Sequence, residues 1–223
     1  MYKNPYIKLK PATRKPYTFI YLVRHGNPDY SQEKELGEYQ MPLSKIGRSQ
    51  SQRLARRLAA LKPDKLYASG LKRSQETAQP TAAHLHKKVV IDSRLNEIDW
   101  LDWHRISYFN TSEKHRIRKL HHYVALDAHL DQMQTKARCL LSDIYHHNRG
   151  KSVALFSHGN LIKTILTGVM NADVIGFLSL EIYQASISKL VIDNNGFVKI
   201  DSVNSVSHLR QAPNEDLFIT LLD

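Results

Sequence analysis

The chain has 223 residues, of which 42% are hydrophobic, and this is enough for one large globular domain. Its formal charge of +11 favours anionic ligands, among them phosphate esters, nucleic acid, acidic proteins and acidic lipids, without choosing among them. No run approaches the roughly 20 apolar residues of a membrane-spanning helix, and the basic N-terminus lacks the apolar core of a secretory signal, so we expect neither.

The N-terminal 17 residues contain three prolines and are predicted to form an extended basic arm. Residues 18–223 are predicted to form a single domain. Its first strand, at 18–24, is an apolar run that ends in Arg24 and His25. Because burying an unpaired charge costs several kcal/mol, these two side chains must lie where the strand leaves the core.

Beyond this strand, strand-like and helix-like segments alternate along the chain. The strand-like segments are enriched in β-branched and aromatic residues, and the helix-like segments carry apolar residues at helical spacing. This alternation predicts a three-layer α/β/α fold around a mostly parallel sheet. The predicted helices are 42–61, 71–86, 125–147 and 159–170, and the further strands are 65–69, 88–92 and 152–157.

Four residues in the predicted helices carry expectations of their own. Ser44 is a plausible N-cap, and Ile46 falls on the apolar face of the same helix. Pro80 is expected to kink or break its helix. Cys139 has apolar neighbours and is expected to pack rather than to act as a nucleophile. As the single cysteine it can form no internal disulfide, which favours a reducing, cytoplasmic location.

Two segments fit the alternation less directly. Two alternating runs joined by Asn195 and Gly196 predict a β-hairpin late in the chain. Residues 101–124 are dense in histidine and arginine, and we interpret them as a basic excursion over one end of the sheet. Its part at 105–119 is either a solvated face or a lining of the site that helps to hold a large anion.

Polar side chains follow four of the predicted strands. The stretches "LVRHGN" and "LFSHGN" place His25 and His158 directly after two apolar strands. Arg73 lies in the first turn of the helix after a third strand, and Glu97 follows a fourth. Because parallel strands place their carboxyl ends at one edge of a sheet, we expect these side chains to meet there with Arg24.

This combination of residue types suits phosphoryl transfer. The planar forks of two arginines match phosphoryl oxygens and offset their charge, and a neutral histidine can form a phospho-enzyme. A carboxyl group can protonate the leaving oxygen and then deprotonate water. Glu97 is preferred for this role over Asp99 and Asp102.

Five motifs in this order resemble the histidine phosphatase superfamily, the group that includes cofactor-dependent phosphoglycerate mutases. The motifs are "RHG", "PLSKIG", "SGLKRSQETA", "LNEI" and "SHGN", and the similarity extends over 18–209. The resemblance implies a phosphoglycerate mutase-like fold and His25 as the phosphorylated nucleophile. It further implies that Glu97 is the acid–base and that the phosphoryl group is bound by Arg24, Arg73 and His158. Pro28 stands where many members have Thr or Ser, so Asn27 is a candidate for a substitute phosphate contact.

The sequence therefore predicts a metal-independent phosphomonoesterase acting on an anionic phosphorylated small molecule or phosphoprotein, with no cofactor. One alternative is a mutase, although the longer insertion usual in mutases after the acid is missing. The other is a non-catalytic basic module that binds a phosphorylated partner or RNA, which would have no need for Glu97 and matches no nucleic-acid motif. A metal site is not expected from the histidines 115, 121, 122 and 129, whose spacing fits no zinc pattern.

Overall fold

The computed structural model describes residues 15–98 and 120–209, with side chains from residue 127 onward in the second range. Most of the predicted N-terminal arm and residues 99–119 of the predicted basic excursion lie outside the described residues. The sequence predicted that the excursion ends at 124 and that the long helix begins at 125. This boundary is wrong, because the helix already begins at Leu120.

The described residues form six strands and six α-helices. The strands are β1 (Thr18–Arg24), β2 (Lys65–Ala68), β3 (Val89–Ile91), β4 (Ser152–Ser157), β5 (Ile187–Ile192) and β6 (Val198–Ser205). The helices are α1 (Glu33–Gln40), α2 (Lys45–Leu61), α3 (Lys72–Leu85), α4 (Leu120–His147), α5 (Gly159–Met170) and α6 (Val174–Ser179). Short 3-10 helices span Tyr30–Gln32 and Ser93–Leu95.

The strands form one sheet in the order β3–β2–β4–β1–β5–β6. Strands β1 to β4 are mutually parallel, whereas β5 and β6 run antiparallel to their neighbours. The predicted mostly parallel sheet is therefore confirmed, and the predicted hairpin is the β5–β6 pair. Gly196 in its turn has a φ of 83°, a conformation that glycine adopts without steric cost.

The hydrophobic core lies on both faces of the sheet, because alternate strand residues point to opposite sides. On one face Ile20 and Leu155 pack against α4 and α5. On the other face Val23 and Phe156 pack against α2 and α3. This gives the predicted three-layer α/β/α arrangement. Among the described residues, no helix combines the length and the apolar character needed to cross a membrane.

Two expectations about single helix residues are wrong, and a third is wrong in part. Ile46 is exposed, because the buried face of α2 runs through Gly47, and a neighbouring residue in a helix is turned by about 100°. Cys139 is exposed, since it lies on the opposite side of α4 from Ala137 and its buried partners. Pro80 does not break its helix, because α3 continues through it and core packing on both sides outweighs one lost hydrogen bond. Ser44 does cap α2 by accepting the Gly47 N–H.

Candidate active site

The two strand-end histidines lie side by side. Strands β1 and β4 are parallel with Arg24 opposite Ser157, so the next residues, His25 and His158, leave the sheet together. Their ring centroids are 5.0 Å apart, and both residues are buried. The backbone N–H of His25 also donates to the Ser157 carbonyl at 2.9 Å, which holds the two strand ends in register. The structure thus brings these histidines together at the carboxyl edge of the sheet.

The hydrogen bonds of His25 define which ring nitrogen is available. Nδ1 lies 2.7 Å from the Gly26 carbonyl oxygen, which only accepts, so Nδ1 carries the proton. Nε2 is therefore the nitrogen with a lone pair, and it accepts a long contact of 3.4 Å from the Arg73 Nε. Burial holds the pKa of His25 well below 6.5, and the cations of Arg73 and Arg24 lower it further. His25 is therefore a neutral imidazole with its nucleophilic nitrogen toward Arg73.

Arg73 lies in the first turn of α3 and is buried. Its Nη1 donates to the Glu38 carbonyl oxygen at 2.8 Å, and its Nη2 donates to the Glu38 Oε1 at 3.0 Å. One turn along α3, the Thr77 hydroxyl oxygen accepts the Gly26 N–H at 3.0 Å. Helix α3 is thereby fixed to the loop that follows His25, and this sets the approach of the arginine to the imidazole.

Arg24 ends β1 with its guanidinium against the first residue of α5. Its Nη1 donates to the Ile182 carbonyl oxygen, whereas its Nε is buried and has no hydrogen-bond partner among the described residues. A Cβ on Gly159 would lie 3.2 Å from the Arg24 Cζ, so glycine leaves the space that the guanidinium occupies. A buried donor without an acceptor is costly, which points to an anionic ligand as the missing partner.

His158 has a second such donor. Its Nε2 lies 2.8 Å from the Ser69 Oγ, which accepts the Leu71 N–H at 3.3 Å. Among the described residues the Ser69 hydroxyl has no other hydrogen-bond acceptor than this Nε2, so we assign the hydroxyl as the donor to Nε2. The His158 proton is then on Nδ1, which is buried and has no partner among the described residues. Burial, with smaller contributions from His25, Arg73 and Arg24, holds the pKa of His158 well below 6.5. An arriving anion would oppose this shift and favour the protonated ring.

Glu97 lies at the N-terminus of α5. Its Oε1 accepts the backbone N–H groups of Ile98 and Leu161, both at 3.0 Å, and its Oε2 accepts that of Asn160 at 3.3 Å. Burial raises the pKa of Glu97, although these hydrogen bonds and Arg24 oppose the shift. The carboxyl group therefore keeps a proton at a higher pH than an ordinary glutamate. Its competitors from sequence, Asp99 and Asp102, lie outside the described residues.

Asn27 is held at both ends of its side chain by the protein. Its amide nitrogen donates to the Gln184 Oε1 at 3.0 Å, and its Oδ1 accepts the Ser44 hydroxyl at 2.7 Å. The amide NH2 group has a second hydrogen, so a phosphate contact through Asn27 would not require the bond to Gln184 to break. Such a contact stays a prediction, and in this arrangement Asn27 joins the His25 loop to α2.

Sequence reasoning missed two residues of this site, Ser69 and Glu38. Ser69 directly follows β2, so the strand-end argument that found the histidines could also have found it. Glu38 had no comparable signal, because its segment at 33–40 contains several charged residues without a pattern. It reaches the site only through the way α1 folds back onto Arg73.

A metal centre has no support in the part of the chain that the structure describes. No group of three or more His, Cys, Asp or Glu side chains there is arranged to hold a metal ion. Of the histidines weighed as ligands from the sequence, only the side chain of His129 is described. His115 lies outside the described residues, and His121 and His122 are described only as backbone of α4.

Known proteins share this architecture. A model of the histidine phosphatase superfamily (branch 1) matches residues 20–205. The chain is 30% identical to "Phosphoglycerate mutase-like protein 4" of Arabidopsis thaliana, over 67% of this chain and 70% of that protein. It is 28% identical to "Probable phosphoglycerate mutase GpmB" of Proteus mirabilis, over 85% and 94%.

One similar solved structure is a phosphoserine phosphatase from Entamoeba histolytica in complex with 3-phosphoglyceric acid. It superposes with a TM-score of 0.68 at 24% identity, covering 86% of this chain and 99% of the other. At this identity the likeness concerns the fold.

Proposed function

Because the chain belongs to branch 1 of the histidine phosphatase superfamily, we propose that it is a phosphomonoesterase that works through a phosphohistidine on His25. The orientation of the His25 ring carries the proposal. Its Nδ1–H is bound to the Gly26 carbonyl, which leaves Nε2 as a neutral nucleophile directed toward the buried guanidinium of Arg73.

In the first step the His25 Nε2 attacks phosphorus, the P–N bond forms, and the bond to the ester oxygen breaks. The leaving oxygen takes the proton of the Glu97 carboxyl group, so the alcohol departs neutral. Arg24, Arg73 and His158 bind the phosphoryl oxygens. The unpartnered Arg24 Nε–H and His158 Nδ1–H supply two of these hydrogen bonds.

In the second step water attacks the phosphohistidine and Glu97, now a carboxylate, takes a proton from that water. The P–N bond breaks, orthophosphate leaves, and His25 returns to the neutral form. Two arginines, with a histidine that gains a proton when the anion binds, offset the phosphoryl charge without a metal ion.

The pKa shifts of His25 and Glu97 support this division of roles. With ordinary values of 6.5 and 4.5, a neutral histidine and a protonated carboxyl group would rarely coexist at one pH. Burial lowers the pKa of His25 and raises that of Glu97, and both shifts increase the fraction of the site that holds a neutral histidine and a protonated carboxyl group at the same pH. A module that only binds a phosphorylated partner has no use for this arrangement.

The mutase alternative uses the same residues and differs in the fate of the phosphohistidine, which passes its phosphoryl group to a second hydroxyl instead of water. The names of the Arabidopsis and Proteus relatives favour it. The short chain segment after Glu97, which lacks the longer insertion usual in mutases, favours hydrolysis.

The test is a panel of phosphomonoesters, including phosphoserine and 3-phosphoglycerate, assayed for orthophosphate release with and without EDTA. We expect release in both conditions and, after rapid quenching, an acid-labile, base-stable label on His25. A label on another residue, or activity that one divalent ion restores after chelation, would contradict the proposal. Isomerised phosphoglycerate without orthophosphate would establish the mutase instead.

A further inference from the structure

The guanidinium of Arg73 makes three contacts, and two of them are to Glu38. Nε is 3.4 Å from the His25 Nε2, Nη2 is 3.0 Å from the Glu38 Oε1, and Nη1 is 2.8 Å from the Glu38 carbonyl oxygen. Nε and Nη2 form one edge of the planar group, the edge that can bind two oxygens of one anion at once. The Nε–Nη2 edge therefore contacts the His25 Nε2 through Nε and the Glu38 carboxylate through Nη2.

The two Glu38 contacts differ in what they require. The backbone carbonyl on Nη1 depends only on the path of α1, so it would position Arg73 whatever side chain residue 38 carried. The contact from the carboxylate, by contrast, depends on the side chain at position 38. This side chain is 51% exposed, and its Oε2 accepts no hydrogen bond from the described residues. Gly37, with a φ of 70°, interrupts α1 just before it and turns this acid toward Arg73.

A half-exposed ion pair of this kind contributes little to folding, because solvent screens it. The Glu38 carboxylate does, however, offset the positive charge of Arg73 at the place where a phosphoryl group would bind. A phosphoryl group on the Nε–Nη2 edge lies beside the Glu38 carboxylate, and two negative groups at that separation repel each other. The repulsion is relieved when the ligand itself carries a positive group next to its phosphoryl group. The free Oε2 is an acceptor for such a group.

We propose that Glu38 is a specificity-determining residue that selects phosphomonoesters carrying an ammonium group close to the phosphoryl group. The phosphoryl oxygens bind Arg73 and the ammonium binds the Glu38 carboxylate, so one guanidinium–carboxylate pair recognises a zwitterionic ligand. This inference rests on the proposed function, because it uses Arg73 as the phosphoryl-binding group.

The experiment compares non-hydrolysable ligands that differ only in the ammonium group: 2-aminoethylphosphonate against ethylphosphonate, and 3-aminopropylphosphonate against propylphosphonate. Dissociation constants are measured by isothermal titration calorimetry at fixed ionic strength, which needs no turnover. The variants are wild type, Glu38→Gln and the control Glu35→Gln, which removes the same charge from an exposed position of the same helix.

We expect wild type and Glu35→Gln to prefer at least one amino ligand by about fivefold, the effect of a partly exposed ion pair. Glu38→Gln should reduce that preference to less than about twofold and bind the plain phosphonates more tightly, because the repulsion is gone. In turnover, Glu38→Gln should raise the KM for O-phosphoethanolamine relative to the KM for ethyl phosphate.

The possible failures are distinguishable. If wild type binds the plain and the amino ligands equally, the role of Glu38 is overturned. The same holds if Glu38→Gln keeps the wild-type preference. Both outcomes leave the phosphatase proposal standing. Affinity that rises equally for both ligands in Glu38→Gln would show a simple competitor for Arg73 and also overturn the role of Glu38. No binding of any phosphonate by any variant would overturn the proposed phosphoryl subsite and this inference with it.

Discussion

The ends of β1 and β4 have nearly the same sequence, an apolar strand followed by His-Gly-Asn, yet they build different environments. After His25 the chain turns into a loop, and the Gly26 carbonyl accepts the Nδ1 proton. After His158 the chain enters α5 at once, and the Ser69 Oγ binds Nε2. The first imidazole keeps Nε2 for chemistry, and the second keeps an unpartnered Nδ1 donor. In the proposed function, the same motif serves as the nucleophile in one place and as an anion-binding group in the other.

The residue before each histidine extends this contrast. Arg24 places its guanidinium at the site, whereas the Ser157 hydroxyl donates to the Leu95 carbonyl at 2.8 Å. That bond ties β4 to the short helix before Glu97, and α5, which follows His158, supplies the N–H groups that hold Glu97. In the proposed function, the β1 end therefore provides the nucleophile and a charged group, and the β4 end positions Glu97, the proposed acid–base.

The largest expected effect separates the two histidines. His25→Ala should reduce turnover by at least about 10⁴-fold, since no nucleophile remains. His158→Ala should cost about 10²- to 10³-fold, because it removes one donor to the phosphoryl group and leaves the phosphohistidine possible. Initial rates and the quenched phosphohistidine label test this, with circular dichroism as the check on folding. Equal losses with a retained label in both variants would show that the two ends are not specialised.

The next effect tests the carboxyl group that the β4 end positions. Glu97→Gln should lower kcat/KM for an alkyl phosphate by about 10³-fold, because the leaving alkoxide is no longer protonated. p-Nitrophenol leaves without that proton, so its ester should show a burst, followed by slow turnover in which the phosphohistidine accumulates. If Glu97→Gln slows the burst with the p-nitrophenyl ester as much as it slows turnover of alkyl esters, Glu97 has a structural role instead.

The same variant has a pH signature. Burial raises the pKa of Glu97 above 4.5, so the protonated acid is lost, and the rate with alkyl phosphates falls, only above that raised value. The pKa of His25 lies below 6.5, so protonation of the nucleophile lowers the rate only below that lowered value. Profiles of kcat/KM should show both limbs in wild type and only the acid limb in Glu97→Gln. An alkaline limb that survives in the variant would assign it to another group.

Much of this comparison could be predicted from the sequence, because it depends on strand ends. A parallel sheet places His25 and His158 at one edge whatever the details of packing, and β1 and β4 have the predicted bounds. Arg73 and Glu97 follow from the same argument applied to β2 and β3.

What could not be predicted depends on how one element approaches another. Glu38 binds Arg73 across a separation in sequence that no local pattern encodes. Ser69 is accessible to the strand-end argument, but its bond to the His158 Nε2 is not. Ile46 and Cys139 lie next to the buried face of their helices rather than on it. Apolar neighbours in the sequence do not tell a residue on the buried face from one beside it. Pro80 shows the same limit, because only the surrounding core decides whether a helix survives a proline.

The smallest expected effect concerns the glycines that follow the two histidines. A Cβ on Gly26 would lie 2.8 Å from the Gly47 carbonyl oxygen, which is backbone and cannot move aside without shifting α2. Gly26→Ala should therefore lower the free energy of unfolding by about 1–3 kcal/mol. The Cβ of Gly159→Ala would meet the end of the Arg24 side chain at 3.2 Å, and a side chain can shift by a few tenths of an ångström.

Gly159→Ala should therefore leave the unfolding free energy within about 1 kcal/mol of wild type. It should raise KM and lower kcat/KM by about tenfold, because the guanidinium moves from the position in which it contacts the phosphoryl group. Urea unfolding and steady-state kinetics on the two variants measure both quantities. If Gly159→Ala proved the less stable protein while retaining normal kinetics, the two glycines would have the opposite roles, and Arg24 would not be held where the phosphoryl group binds.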